Sequence, residues 1–162
     1  MASKKMEEAL NKQLNAELYS AYLYFAMAAH FDNANLTGFA HWMKLQAKEE
    51  STHALKFYEY INEVGGKVVL DAIAKPPVDF GSPLQVFEEV LKHEKHVTAL
   101  IYDLVKLARN ESDYATENFL QWFVSEQVEE EAHATKIVED LKMIADSKQA
   151  LFMMDKHLGA RQ

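Results

Sequence analysis

Apolar residues recur along this chain at alternating intervals of three and four, the period of helices that bury one face, and they do so in four long stripes. Polar side chains interrupt each stripe near its middle. The first helix is predicted from about Lys5 to Phe31, with Leu10, Leu14, Ala21, Tyr24 and Ala28 inward and Glu17 inside the stripe. A polar break, Asp32-Asn33-Ala34-Asn35, precedes a second helix ending near Val64, whose stripe reads Phe39, Met43, Gln46, Glu50, His53, Phe57, Tyr60 and Val64. Gly65-Gly66 stops it, because glycine accepts the left-handed conformation that closes a helix. Ser82-Pro83-Leu84-Gln85 then supplies an N-cap, a first-turn proline and a capping-box partner for a third helix. Its stripe of Phe87, Leu91, Glu94, Thr98, Ile101, Val105 and Ala108 ends near Arg109. After a turn at Asn110 to Asp113, the fourth helix, about Tyr114 to Ala145, turns Leu120, Phe123, Gln127, Glu130, Ala134, Ile137, Leu141 and Ile144 inward.

The connections predict how these helices are joined. Four-residue links make the first and second helices, and the third and fourth, antiparallel neighbours. Residues 65 to 82 form the other link, rich in Gly and Pro. A helix of nearly 30 residues is about 43 Å long, and 18 extended residues reach at most about 60 Å. This link therefore crosses the bundle and starts the third helix at the same end as the second. Ser147 to Leu158, centred on Ala150-Leu151-Phe152-Met153-Met154, is predicted as a short fifth helix. The fold class is all-α: one domain over 1–162, with a four-helix bundle at about 5–145, one long crossover between the second and third helices, and a short fifth helix at about 147–158.

Composition narrows the chemistry. The 162 residues are 49% hydrophobic and 26% charged, ordinary for a globular chain that builds a core. With no Cys there is no disulfide, thiolate metal site, iron-sulfur cluster or cysteine nucleophile, so any metal is held by oxygen and imidazole. A net charge of -8 opposes sequence-independent nucleic-acid binding and suits cations. The N-terminal Met1-Ala2-Ser3-Lys4-Lys5-Met6-Glu7-Glu8 runs into amphipathic sequence, unlike a signal peptide, and no stretch approaches the apolar length of a membrane span. A cytoplasmic location with no membrane partner is expected.

The polar interruptions carry the chemistry. Glu17, Glu50 and His53 are separated by 33 and then 3 residues; Glu94, Gln127 and Glu130 repeat that spacing at an offset of 77. Side chains three apart share a helical face, so each triplet reads as one helix offering a carboxylate and the next offering a pair. Surface exposure is the usual fate of one helical glutamate, but these lie inside apolar stripes. Four carboxylates at one level of a core repel one another unless protons or cations are present. Two divalent cations cancel Glu17, Glu50, Glu94 and Glu130, with His53 adding a neutral nitrogen and Glu50 bridging. Oxygen-rich coordination with one imidazole suits iron, manganese or zinc. Tyr24, two turns beyond Glu17, is either a partner of this site or a core tyrosine with a satisfied hydroxyl. His133 lies three residues after Glu130 and offers a second Glu-x-x-His register, which the apolar stripe disfavours. His30, His41, His93, His96 and His157 are expected on solvated faces or subunit contacts.

The segments Asn15-Ala16-Glu17-Leu18-Tyr19-Ser20, Ala47-Lys48-Glu49-Glu50-Ser51-Thr52-His53, Lys92-His93-Glu94 and Phe119 to Glu131 are similar to the ferritin family, specifically its non-haem bacterial members. The resemblance spans essentially the whole chain. It implies a ferritin-like bundle, assembly into a twenty-four-subunit hollow shell, oxidation of Fe(II) by O2 or H2O2, and storage of a ferric oxide-hydroxide mineral. It further implies a first iron site at Glu17, Glu50 and His53, a second at Glu50, Glu94 and Glu130 with Gln127 beside it, and a third, nearby iron at Glu49, Glu126, Glu129 and Glu130. Thr52, Gln127 and Glu130 stand where a haem-containing relative carries Met, Glu and His, which disfavours haem. The competing functions are a non-storage di-iron carboxylate peroxidase and a catalytically dead helical scaffold.

Overall fold

The computed structural model describes residues 2–162; Met1, the first residue of the N-terminal segment discussed above, lies outside the described residues. Five helices follow in order: α1 (Lys4–Asn33), α2 (Thr37–Glu63), α3 (Pro83–Asn110), α4 (Tyr114–Ile144) and α5 (Lys148–Gly159). The bundle has the expected pairing of α1 with α2 and of α3 with α4.

The ends of these helices follow from local chemistry. Ser3, Asp113 and Ser147 accept hydrogen bonds from first-turn amides of α1, α4 and α5, and Ser82 and Gln85 complete the capping box of α3. The start of α2 is different. Its cap position is Leu36, which has no side-chain acceptor. Asp155 of α5 substitutes from 116 to 117 residues away, its Oδ1 accepting from the amides of Gly38 at 2.8 Å and Phe39 at 3.1 Å. A carboxylate at a helix N-terminus also meets the positive end of its dipole. Gly38 permits this approach, since a Cβ there would lie 1.7 Å from the Asp155 carbonyl oxygen.

Helix α1 runs two residues beyond the predicted Phe31, because Asp32 and Asn33 are tolerated in a last turn that closes on left-handed Asn35 (φ 57°). Leu36 N bonds to Phe31 O at 3.0 Å, a six-to-one closure. The α3–α4 link repeats it with Ser112 (φ 56°) and Asp113 N to Ala108 O at 2.8 Å. Between the hairpins, residues 64–82 run without helix along α1, which holds them by side chains: Asn11 bonds to the Lys67 carbonyl and the Val69 amide, Asn15 to the Ala72 carbonyl, and His30 to the Gly81 carbonyl. The crossover brings Phe87 of α3 against Phe39 and Trp42 near the start of α2.

All predicted stripe residues are buried except Val64, Leu91, Thr98 and Ile144, which are half-buried. The apolar core falls into two blocks, one around Tyr24, Phe31, Phe39, Phe87 and Leu141 and another around Leu10, Phe57, Ile101, Leu120 and Phe123. Glu17, Glu50, His53, Glu94, Gln127 and Glu130 fall between them along every helix.

Candidate metal centre

Each of the four bundle helices contributes one glutamate to the polar layer, and all four are buried: Glu17, Glu50, Glu94 and Glu130 are between 1% and 6% exposed. The buried amides of Gln13, Gln46 and Gln127 surround them. Gln13 Nε2 donates to Glu17 Oε1 at 2.8 Å. Gln46 Nε2 donates to Glu130 Oε2 at 2.8 Å and to Glu50 Oε1 at 3.3 Å. Gln127 Nε2 donates to Glu94 Oε2 at 3.2 Å and to the Glu94 carbonyl at 3.1 Å, and the Tyr24 hydroxyl donates to Glu94 Oε1. Tyr24 is thus a partner of the acidic layer.

One oxygen is left out of this scheme. Glu17 Oε2 is buried with no hydrogen-bond donor among the protein groups around it. His53 Nδ1 lies 3.9 Å from it and 3.2 Å from Glu50 Oε2. The imidazole is held edge-on by Trp122 and Phe123, with ring centroids 5.3 and 6.0 Å away. Ligand atoms of Glu17, Glu50 and His53 lie within 4.8 Å of one another. A buried acceptor left unpaired costs free energy on the order of 1–3 kcal/mol, and a cation at this spot would satisfy it.

Electrostatics point the same way. Burial, then the Glu50 charge, pushes the Glu17 carboxyl well above the ordinary range. Burial and the neighbouring Glu94 and Glu130 do the same to Glu50. Burial raises Glu94 against the opposing bonds from Tyr24 and Gln127. Burial, then Glu94 and Glu49, raises Glu130 to about 8. The Tyr24 phenol is pushed up by burial and by Glu94. These carboxyls therefore favour protons unless positive charge replaces them.

A family model of the ferritin-like domain matches residues 7–144. The chain belongs to the ferritin family. Iron storage is the function that goes with this membership. The bacterial non-heme ferritin of Bacteroides fragilis (strain 638R) is 45% identical over 161 residues, covering 99% of this chain and 100% of that protein. That of Staphylococcus epidermidis is also 45% identical over 161 residues, covering 99% and 97%. Among solved structures, the open pore ferritin of the hyperthermophilic archaeon Archaeoglobus fulgidus has a TM-score of 0.99 at 52% identity and covers 100% of both chains. An engineered closed form of that ferritin also has a TM-score of 0.99 at 52% identity, covering 100% and 99%.

Within this ferritin, the remaining acidic residues separate. Glu126 is half-buried with Oε1 3.7 Å from His53 Nε2, and His53, Glu126 and Glu130 form a second convergent set. Glu129 is exposed. Glu49 is exposed too, and pairs with Arg161 Nη2 at 2.8 Å. Glu94 joins neither convergent set, and its oxygens accept hydrogen bonds from Tyr24 and Gln127. His133, His96 and His157 are exposed. His30, His41 and His93 differ from expectation in being half-buried, His30 and His41 against the Gly81 and Arg161 carbonyls; His93 lies beside Tyr19 and Tyr24, its Nε2 2.8 Å from Ser20 Oγ, and burial lowers its imidazole to about 4. For His93 the reason is its position one residue before Glu94, at the flank where α3 meets α1. Sequence reasoning passed over Gln13, although it sits one turn before Glu17 on the same stripe; for Arg161 the sequence carries no signal at all.

Proposed function

We propose that this ferritin is a ferroxidase: Fe(II) binds in the polar layer, is oxidised there by O2 or H2O2, and passes on as Fe(III) to a ferric oxide-hydroxide mineral inside a twenty-four-subunit shell. The observation that carries this reading is the convergence of Glu17, Glu50 and His53 around an unpaired, buried carboxylate oxygen in a layer of proton-holding carboxyls. Glu17, Glu50 and His53 hold the first iron. Glu50, Glu94 and Glu130 hold the second, with Glu50 shared and Gln127 and Tyr24 flanking Glu94.

Incoming Fe(II) takes the place of protons on these carboxyls, so loading releases protons and strengthens as pH rises. Each Fe(II) gives up one electron. Two together reduce O2 to H2O2, or H2O2 to two waters, with two protons taken up in either case. The protein's part is to set two ions side by side among carboxylates that accommodate the charge gained on oxidation. The second position lacks imidazole and is the one expected to release Fe(III) first. The set of His53, Glu126 and Glu130 supports a further iron beside the pair, with half-buried Glu126 next to buried Glu130 and with Glu49 and Glu129 outside them. Likeness to the Archaeoglobus fulgidus ferritin over the full chain supports a shell, and a reducing cytoplasm is the compartment in which Fe(II) is available as substrate.

Anaerobic Fe(II) titration of the iron-free protein should saturate at about two irons per chain, or about three if the Glu126 set binds. Admitting oxygen should then oxidise the bound iron far faster than buffer does, and further iron should co-elute with the shell on sizing chromatography. A dead scaffold leaves the oxidation rate at that of buffer. A non-storage peroxidase turns over peroxide but carries no iron through the column beyond its di-iron pair.

A further inference from the structure

The C-terminal segment reaches the acidic layer through one side chain. Helix α5 is fastened to the start of α2 by the Asp155 carboxylate and by the close pass of Gly159, where a Cβ would meet the Gly38 Cα at 3.1 Å. That attachment delivers Arg161 to the outer side of α2. Its guanidinium lies over the Trp42 ring at 4.7 Å, and its carbonyl is 2.7 Å from His41 Nε2. Nη1 donates to Gln46 Oε1 at 3.0 Å and to the Trp42 carbonyl at 3.4 Å; Nη2 donates to Glu49 Oε2 at 2.8 Å.

A guanidinium has donors and no acceptor. Gln46 must therefore turn its oxygen to Arg161, and its NH2 is left facing Glu130 and Glu50, where it donates at 2.8 and 3.3 Å. Without Arg161 the amide loses the partner that settles its orientation, and the reversed amide would set an oxygen against the Glu130 carboxylate. The same guanidinium holds Glu49 on the outside of α2, away from the polar layer.

We propose that Arg161 is a positioning residue for the second iron, acting through Gln46 on Glu130, the nearer of its two carboxyl partners and a ligand that the first iron does not share. The idea rests on the ferroxidase reading above, and its test is built to fail separately. Outer partners of metal ligands typically change metal affinity by about 10–100-fold. In anaerobic Fe(II) titrations, Arg161→Gln should weaken the second iron about 10-fold and leave the first unchanged; with oxygen, it should raise the KM for Fe(II) more than it lowers kcat. Gln46→Leu should produce a similar loss, and the double variant should lose no more than the worse single variant, because both act on one link. A crystal structure of the metal-free Arg161→Gln protein should find Gln46 turned away from Glu130.

Equal weakening of both irons, additive losses in the double variant, or an unchanged second iron with Gln46 still on Glu130 would overturn the proposal. If Arg161→Gln disturbs assembly, Arg161→Lys serves instead: it keeps a cation opposite Glu49 but cannot bond Gln46 and Glu49 together as a planar fork, so it should keep the shell and still lose second-site affinity. Failure of the ferroxidase reading appears in the parent protein, as absent iron uptake. In that event the crystallographic comparison alone decides whether Arg161 orients Gln46.

Discussion

The α1–α2 and α3–α4 hairpins share a backbone plan and differ in what they do with it. Both first helices close through the same six-to-one bond onto a left-handed residue, Asn35 in one and Ser112 in the other. The following helices begin at Thr37 and Tyr114, and the inward polar positions match in register: Glu17 with Glu94, Glu50 with Gln127, His53 with Glu130. The first hairpin leaves a carboxylate oxygen without a donor and sets an imidazole beside it. In the second, Glu94 is already satisfied, by Gln127 of its own hairpin and by Tyr24 reaching across from α1. One hairpin is prepared for a cation, while the other must exchange existing hydrogen bonds to accept one. On the proposed ferroxidase reading, matching register with unlike side chains would set a tight iron position next to a yielding one.

The sharpest way to break the comparison is at the shared ligand. Glu50→Ala should abolish paired binding and cut Fe(II) oxidation by more than about 100-fold, beyond the usual cost of an outer partner; stopped-flow absorbance with one iron pair per chain reads this directly. If rapid oxidation survives, the hairpins act independently. A smaller change should follow from making the hairpins more alike. Gln127→Glu puts a carboxylate opposite Glu94 Oε2, where an amide now donates at 3.2 Å. Like charge raises the demand for a cation, so the second iron should bind about 10-fold tighter and leave more slowly when chased with a chelator. Faster loss of iron would contradict the assigned order of release.

The smallest effect concerns stability without metal. Burial raises the Glu130 carboxyl to about 8, so the folded chain keeps a proton that the unfolded chain releases near 4.5. The metal-free protein should therefore lose stability as pH climbs through that window, with the loss complete above about 8. Glu130→Gln should flatten this part of the pH dependence and stabilise the iron-free chain at neutral pH by about 1–3 kcal/mol, read by thermal melts at several pH values. An unchanged slope would mean that Glu130 is ionised and solvated in the folded state.

Much of this was legible in the residues. Helical periodicity and caps such as Ser82 with Gln85 set the helices to within two residues, because these signals act over one or two turns. The polar layer was legible for a related reason: Glu17, Glu50, His53, Glu94 and Glu130 interrupt apolar stripes, and such interruptions are costly without compensation. Long-range partnerships were not readable. Asp155 capping α2 and Arg161 meeting Gln46 depend on how distant helices are rotated and docked; Tyr24 was legible as a candidate partner of the site, but not that its contact is Glu94 on another helix. His93 went astray similarly, since a flank position is exposed or covered according to the neighbouring helix.

The interposed acidic layer makes loading a mechanical event as well as a chemical one. Oily contacts grip the subunit toward its two ends, while its waist is held by hydrogen bonds to carboxyls that favour protons, so an emptied subunit should breathe most at the waist and a filled one should stiffen there. Cargo thereby doubles as a rivet.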